Sequence, residues 1–184
     1  MKINPDKLKK RAKKAGVTVE QLAEALPRKH DRQQQLAHCA TKVRNWMRGN
    51  DHPKVTPKDA EALAKALSCD TKDIVRFQSR AKFQRTSARK ARLLADLIRG
   101  RRVDEALTML EFHERRASVM VWKALNAARS DAEAADASID RLVVTESRVD
   151  SAATIKRFQP KDRGRAHPIK KRTSHIVIGV EEVA

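Results

Sequence analysis

Apolar residues recur at helical spacing through most of the chain and switch to strand-like runs only near its end. Thr18 precedes Val19-Glu20-Gln21 at capping-box spacing, and Leu22, Ala23 and Leu26 then form one apolar face. Val43-Arg44-Asn45-Trp46-Met47-Arg48-Gly49 reads as a helix closed by its glycine. Thr56-Pro57 sets a cap before a proline at the first helical position, and Ala60, Leu63, Ala64 and Leu67 follow. Asp70 is placed to cap a last short helix around Ile74. With these four segments marked, the first part is read as five short helices, a small all-helical domain over residues 1–80.

The pattern then changes. Ser87 is placed to cap a helix over residues 88–99, with Ala91, Leu94, Ala95 and Ile98 on one face and Gly100 as terminator. Asp104 or Glu105 opens a second helix carrying Ala106, Leu107 and Leu110. A third covers residues 114–134, with Ala117, Met120, Val121, Ala124, Leu125 and Ala128 in register. Two β-rich stretches follow, Leu142-Val143-Val144-Thr145 running toward Val149, and His175-Ile176-Val177-Ile178-Gly179-Val180, and are expected to pair antiparallel. No internal repeat is evident.

Charge narrows the function. Forty-one Lys and Arg against 23 Asp and Glu leave +18, with a pI near 10.5. A charge that large repels itself in a compact state, and polyanions relieve it. Aromatics are 3% with no Tyr, so phosphate contact rather than base stacking has to dominate recognition. No run approaches the ~18 apolar residues of a spanning helix, and no apolar stretch of a secretion signal follows Met1-Lys2. Cys39 and Cys69 show no CxxC spacing and read as packing residues of a reducing compartment. The histidines have no metal-ligand spacing, and no P-loop, GxGxxG or GxSxG occurs. An enzyme, a cofactor, a metal and a small-molecule substrate are therefore not expected.

Between the two β-rich stretches lies Ile155–Thr173, where Lys156, Arg157, Lys161, Arg163, Arg165, Lys170, Lys171 and Arg172 face one acid, Asp162. Its few apolar residues cannot offset the ordering of the chain. Pro160, Gly164 and Pro168 punctuate its tip, so it is expected to be a hairpin over residues 149–176 that becomes ordered on a polyanion. The helix after Ser87 adds a second signal. Arg89, Lys90 and Arg92 crowd its first turns, where the macrodipole disfavours cations unless a phosphate binds there. Lys82 and Arg85 just before it extend that contact.

Two resemblances follow from these pieces. Val19-Glu20-Gln21-Leu22-Ala23, the Trp46-Met47-Arg48-Gly49 ending and the run from Ala60 to Leu67 resemble the lambda-repressor-like helix-turn-helix family. That family lays a helix ending in Trp-x-x-Gly in the DNA major groove, which implies nucleic-acid contacts by Lys42, Arg44, Asn45 and Arg48. Pro27 to about Gln35 reads as an insertion of roughly ten residues in its turn.

Residues 81–183 resemble the twenty-two family of large-subunit ribosomal proteins, through the run Ser87 to Gly100, the run Ile155 to Ala166 and Ile169-Lys170-Lys171-Arg172-Thr173-Ser174-His175-Ile176. The resemblance implies an α+β body of three helices on a small antiparallel sheet with a long protruding β-hairpin, here preceded by the all-α domain. It implies a cytoplasmic, structural constituent of the large subunit that binds 23S-type rRNA and neighbouring ribosomal proteins, aids assembly and lines the nascent-peptide exit tunnel. Carried over by position, the rRNA contacts are Lys82, Arg85, Ser87, Arg89, Lys90 and Arg92 at the first helix, and Lys156, Arg157, Lys161, Arg163, Gly164 and Arg165 up to the tip. Lys170, Lys171, Arg172, Thr173, Ser174 and His175 return toward the body. The chain departs from the family at Ala88, Asp131, Ala152-Ala153 and Asp162. The alternative expectation is a DNA-binding transcriptional regulator acting through residues 1–80.

Overall fold

A computed structural model describes residues 1–27 and 33–183. The chain forms two compact units, one of Met1–Phe77 with Asp131–Ala137 and one of Gln78–Ser130 with Ser138–Ala184.

The first unit contains β1 (Lys2–Ile3), α1 (Pro5–Ala15), α2 (Val19–Ala25), α3 (Gln33–Met47), α4 (Pro57–Ala66) and the opening residues of β2 (Val75–Gln84). The starts of α1, α2 and α4 have local chemical reasons. The Asn4 side chain accepts the N–H groups of Asp6 and Lys7, and Pro5 opens α1. Thr18 with Gln21 and Thr56 with Asp59 form reciprocal capping boxes, as the sequence predicts. Leu8, Leu22, Val43, Leu63, Ile74 and Phe77 are fully buried, each stabilising the unit by about 1.5–3 kcal/mol. The Trp46 indole N–H donates to the Pro53 carbonyl at 2.7 Å and ties α3 to the following loop.

Two expectations are corrected here. Asp70 precedes only a three-residue 3-10 turn, Thr71–Asp73, and its side chain makes no capping bond. The unit is also not purely helical, because Lys2 and Ile3 pair antiparallel with Arg76 and Val75. A two-residue strand has no alternation for a sequence to display. Of the expected insertion from Pro27 to Gln35, residues 28–32 lie outside the described residues, and α3 already begins at Gln33.

In the second unit β2 continues and neighbours β4 (Ala166–Glu182), which neighbours β3 (Leu142–Pro160). The helices are α5 (Ala88–Ile98), α6 (Val103–Glu111) and α7 (Ala117–Glu133). Ala91, Leu94, Ala95 and Ile98 are the buried face of α5, as their spacing predicts. They join Leu142, Val144, Val149, Ile176, Ile178 and Val180 in one core. Ser87 holds the N-cap position of α5 but makes no side-chain capping bond. Strand β2 has no counterpart in the sequence reading, because only Val75 and Phe77 show inward alternation before Gln78-Ser79-Arg80 interrupts it.

Strands β3 and β4 pair antiparallel from Leu142↔Glu182 to Pro160↔Ala166, so the ladder leaves the body and runs the length of the arm. From Ala152 to Pro160 the arm extends about 30 Å at strand rise. A register shift between Ala152 and Ile155 marks where it leaves, and the Thr173 hydroxyl there donates to the Ala153 carbonyl at 2.6 Å. Thr173 is 4% exposed, so its hydroxyl has little access to water as an alternative partner. Thr173→Val keeps the shape and removes the donor, and is expected to cost about 1–3 kcal/mol. Denaturant unfolding of the full chain measures this; an unchanged midpoint would show that the bulge does not depend on the bond.

Candidate nucleic-acid interface

The interface is built where three segments of the second unit meet. The turn before α5 brings Arg85, Thr86 and Ser87, and α5 itself adds Lys90 and Leu93. The residues leading into α7 bring Arg115, Arg116 and Ala117, and the returning limb of the arm brings Lys170, Lys171 and Arg172. Together they line an open cleft of about 790 Å³ with seven cations and no acid. Such a cluster is self-repelling unless anions occupy it.

The backbone reinforces the sign of the charge. With Ser87 not capping, the first turn of α5 presents free N–H groups, and Ala117 begins α7 at the same cleft. Helix N-termini favour anions, so the dipoles and side chains select the same ligand. Planar guanidinium groups from Arg85, Arg115, Arg116 and Arg172 suit bidentate phosphate contact, while the lysines act as point charges.

The expected residues fall into distinct places. Lys82, Arg89, Lys156, Arg157, Lys161, Arg163, Gly164 and Arg165 are exposed. On the arm, Lys156 stands opposite Lys170, Ile155 opposite Lys171 and Arg157 opposite Ile169. At its tip Arg163 and Gly164 both take positive φ, 52° and 69°, and the Arg165 N–H donates to the Asp162 carbonyl at 3.1 Å. Asp162 therefore helps close the tight turn through its backbone. Arg163 holds a conformation that costs an L residue other than glycine about 1–2 kcal/mol.

Arg92 is placed differently. Its Nε donates to the Val149 carbonyl at 3.1 Å, and Arg99 donates to the Ser147 carbonyl at 2.6 Å, so both clamp α5 to β3. Thr173 and Ser174 are buried struts of the arm base. His175 is half-buried, and its Nδ1 accepts the Phe83 N–H at 3.1 Å while the two rings meet edge to face at 4.6 Å. That bond needs an unprotonated Nδ1.

In the first unit Arg44 of α3 and Arg48, the residue that follows the helix, are exposed, and Lys42 is half-buried. Asn45 uses its amide on the His52 carbonyl at 3.1 Å, securing the loop after α3.

Arg115 and Arg116 are the contributors that sequence reading missed. Their signal was present: two cations directly before a helix start, the same inversion seen at α5. Nothing at the cleft is suited to bond-making chemistry. Among the described residues no group of His, Cys, Asp or Glu is placed to hold a metal, and no helix is long and apolar enough to cross a membrane. Burial, then the Asp73 carboxylate, push the Cys69 thiol above its ordinary value, against a smaller opposing pull from Arg11.

Comparison with known proteins finds a family over the second half of the chain. The family described as ribosomal protein L22p/L17e matches residues 79–181. Large ribosomal subunit protein uL22 of Lactobacillus helveticus (strain DPC 4571) is 48% identical over 106 residues, which are 57% of this chain and 91% of the relative. The proteins of the same name from Lactobacillus gasseri and Lactobacillus johnsonii are 47% identical over the same length. The matched family region contains β3, all of β4 but its last residue, the cleft and the whole arm, while α1 to α4 precede it. The chain belongs to the ribosomal protein L22 family.

Proposed function

We propose that the protein is a structural, non-enzymatic constituent of the large ribosomal subunit that binds 23S-type rRNA through the cleft and the arm, aids subunit assembly, and lines the nascent-peptide exit tunnel with the arm's tip. Membership of a ribosomal family supports the first part, and puts the protein in the cytoplasm with the ribosome. The observation that carries RNA binding is the cleft, where seven cations and two helix N-termini converge without one carboxylate.

Mechanism follows from charge. The cleft takes phosphates of a folded rRNA segment, releasing counterions and fixing the body in position. Its selectivity comes from A-form shape, because a cleft lined mainly by cations, with only the hydroxyls of Thr86 and Ser87 as further polar side-chain groups, offers little that distinguishes bases. The arm, exposed on both faces, has no core of its own and inserts between rRNA helices that supply its counter-charge. Arg163 and Arg165 then stand at the tunnel, where the nascent peptide passes. Neighbouring ribosomal proteins and the rRNA are its partners.

For residues 1–80 the reading is a helix-turn-helix-like module appended to the ribosomal domain at residues 81–184. A DNA-binding regulator acting through Lys42, Arg44, Asn45 and Arg48 is the second reading, favoured by the exposed Arg44 near the end of α3 and the exposed Arg48 just after it. It loses its amide reader, because Asn45 is bound to His52.

In a lysate gradient the protein is expected to sediment with large subunits, and recovery mainly in the free fraction would refute the ribosomal role. Replacing Arg115 and Arg116 by Gln is expected to flatten the salt slope of binding to isolated rRNA by about 2, read from filter-binding titrations. An unchanged slope would remove the cleft from the phosphate contacts.

A further inference from the structure

Helix α1 carries Lys7, Lys9, Lys10, Arg11, Lys13 and Lys14 against the single acid Asp6. Its two faces are sharply divided. Leu8 and Ala12 are buried at 0% and 6% exposure, and Arg11 is tied to Asp73 at 2.9 Å. Lys9, Lys10, Lys13 and Lys14 are all exposed, and among the described residues no carboxylate lies within ion-pair distance of them. At 3.6 residues per turn these four cover an arc of roughly 140°.

That arrangement works against the isolated helix. Lys9 with Lys13, and Lys10 with Lys14, are like-charge pairs at i and i+4, each destabilising by about 0.2–0.5 kcal/mol. Lys13 and Lys14 gain something from the helix C-terminus; Lys9 and Lys10 lie too far from it. A solvated surface needs no such block of one sign, whereas a run of phosphates neutralises all four at once. The one large apolar side chain of α1, Leu8, is already buried, so the helix has no bulky apolar group to insert into a lipid surface.

We propose that the lysine face of α1 is a second rRNA-backbone anchor, by which the N-terminal unit docks on duplex rRNA without reading its sequence. The proposal rests on the ribosomal reading given above. Four lysines act as point charges with no planar or amide group among them, which suits phosphate positioning rather than base recognition. The two units belong to one chain, so binding of one tethers the other. Once the ribosomal unit is bound, the lysine face meets rRNA at a high effective concentration, and weak individual contacts suffice.

The test compares the full chain with a variant carrying Lys9→Gln, Lys10→Gln, Lys13→Gln and Lys14→Gln. Glutamine is as good a helix former as lysine, and the two repulsive pairs disappear, so the melting temperature is expected not to fall. The variant is expected to enter large subunits and to be stripped from them at lower salt than the wild type. Its binding to isolated rRNA is expected to show a salt slope shallower by about 3. In wild-type subunits the four lysines are expected to resist amine-reactive labelling that reaches them in the free chain. Equal labelling in both states overturns the proposal. Protection with an unchanged rRNA salt slope also overturns it, since a protein neighbour would then cover the face. A wild-type chain that never enters large subunits overturns the ribosomal reading together with this one.

Discussion

Repulsion between like charges is the constraint on which the rest of this structure depends. The chain carries +18, and it gathers its cations instead of dispersing them. Seven meet in the cleft between the α5 turn, the start of α7 and the arm. On the arm Lys156 is paired directly across from Lys170, an arrangement that weakens a sheet by a few tenths of a kcal/mol or more. On α1 the same sign repeats along one face. A sequence selected for the stability of the free chain would have interleaved carboxylates at each of these places. The stabilising partner is therefore outside the chain, and it is anionic.

The body supplies what the cations need, a rigid frame. Leu94, Ile98, Leu142, Ile176 and Ile178 are fully buried and hold α5 against the sheet. Arg92 and Arg99 add side-chain bonds to the carbonyls of Val149 and Ser147, so two cations of this basic segment also brace the frame. At the arm base Thr173 satisfies the Ala153 carbonyl beside the register shift, and Phe83 docks on His175. Those contacts fix the direction in which the arm leaves, and beyond them no core continues.

What the sequence made legible was local. The capping boxes at Thr18 and Thr56, the buried face of α5 and the antiparallel pairing of the last two strands all depend on residues a few positions apart or on long runs of one period. Features made by distant segments stayed hidden. Strand β1 is two residues long, and β2 loses its alternation after Phe77. Thr173 and Ser174 belong to a polar run that reads as surface, yet both are buried where β4 runs inside the sheet. Asn45 reads as a groove contact until the loop to His52 is seen to take its amide. Arg115 and Arg116 join the cleft only once α7 is brought beside α5 and the arm.

The most direct measurement is amide hydrogen exchange across residues 152–172, on the free chain and on the chain within purified large subunits. A ribbon of two charged strands without a core should exchange rapidly alone and become strongly protected when rRNA phosphates neutralise it. Protection that is already complete in the free chain and unchanged in the subunit would contradict the account, because the arm would then owe nothing to a polyanion.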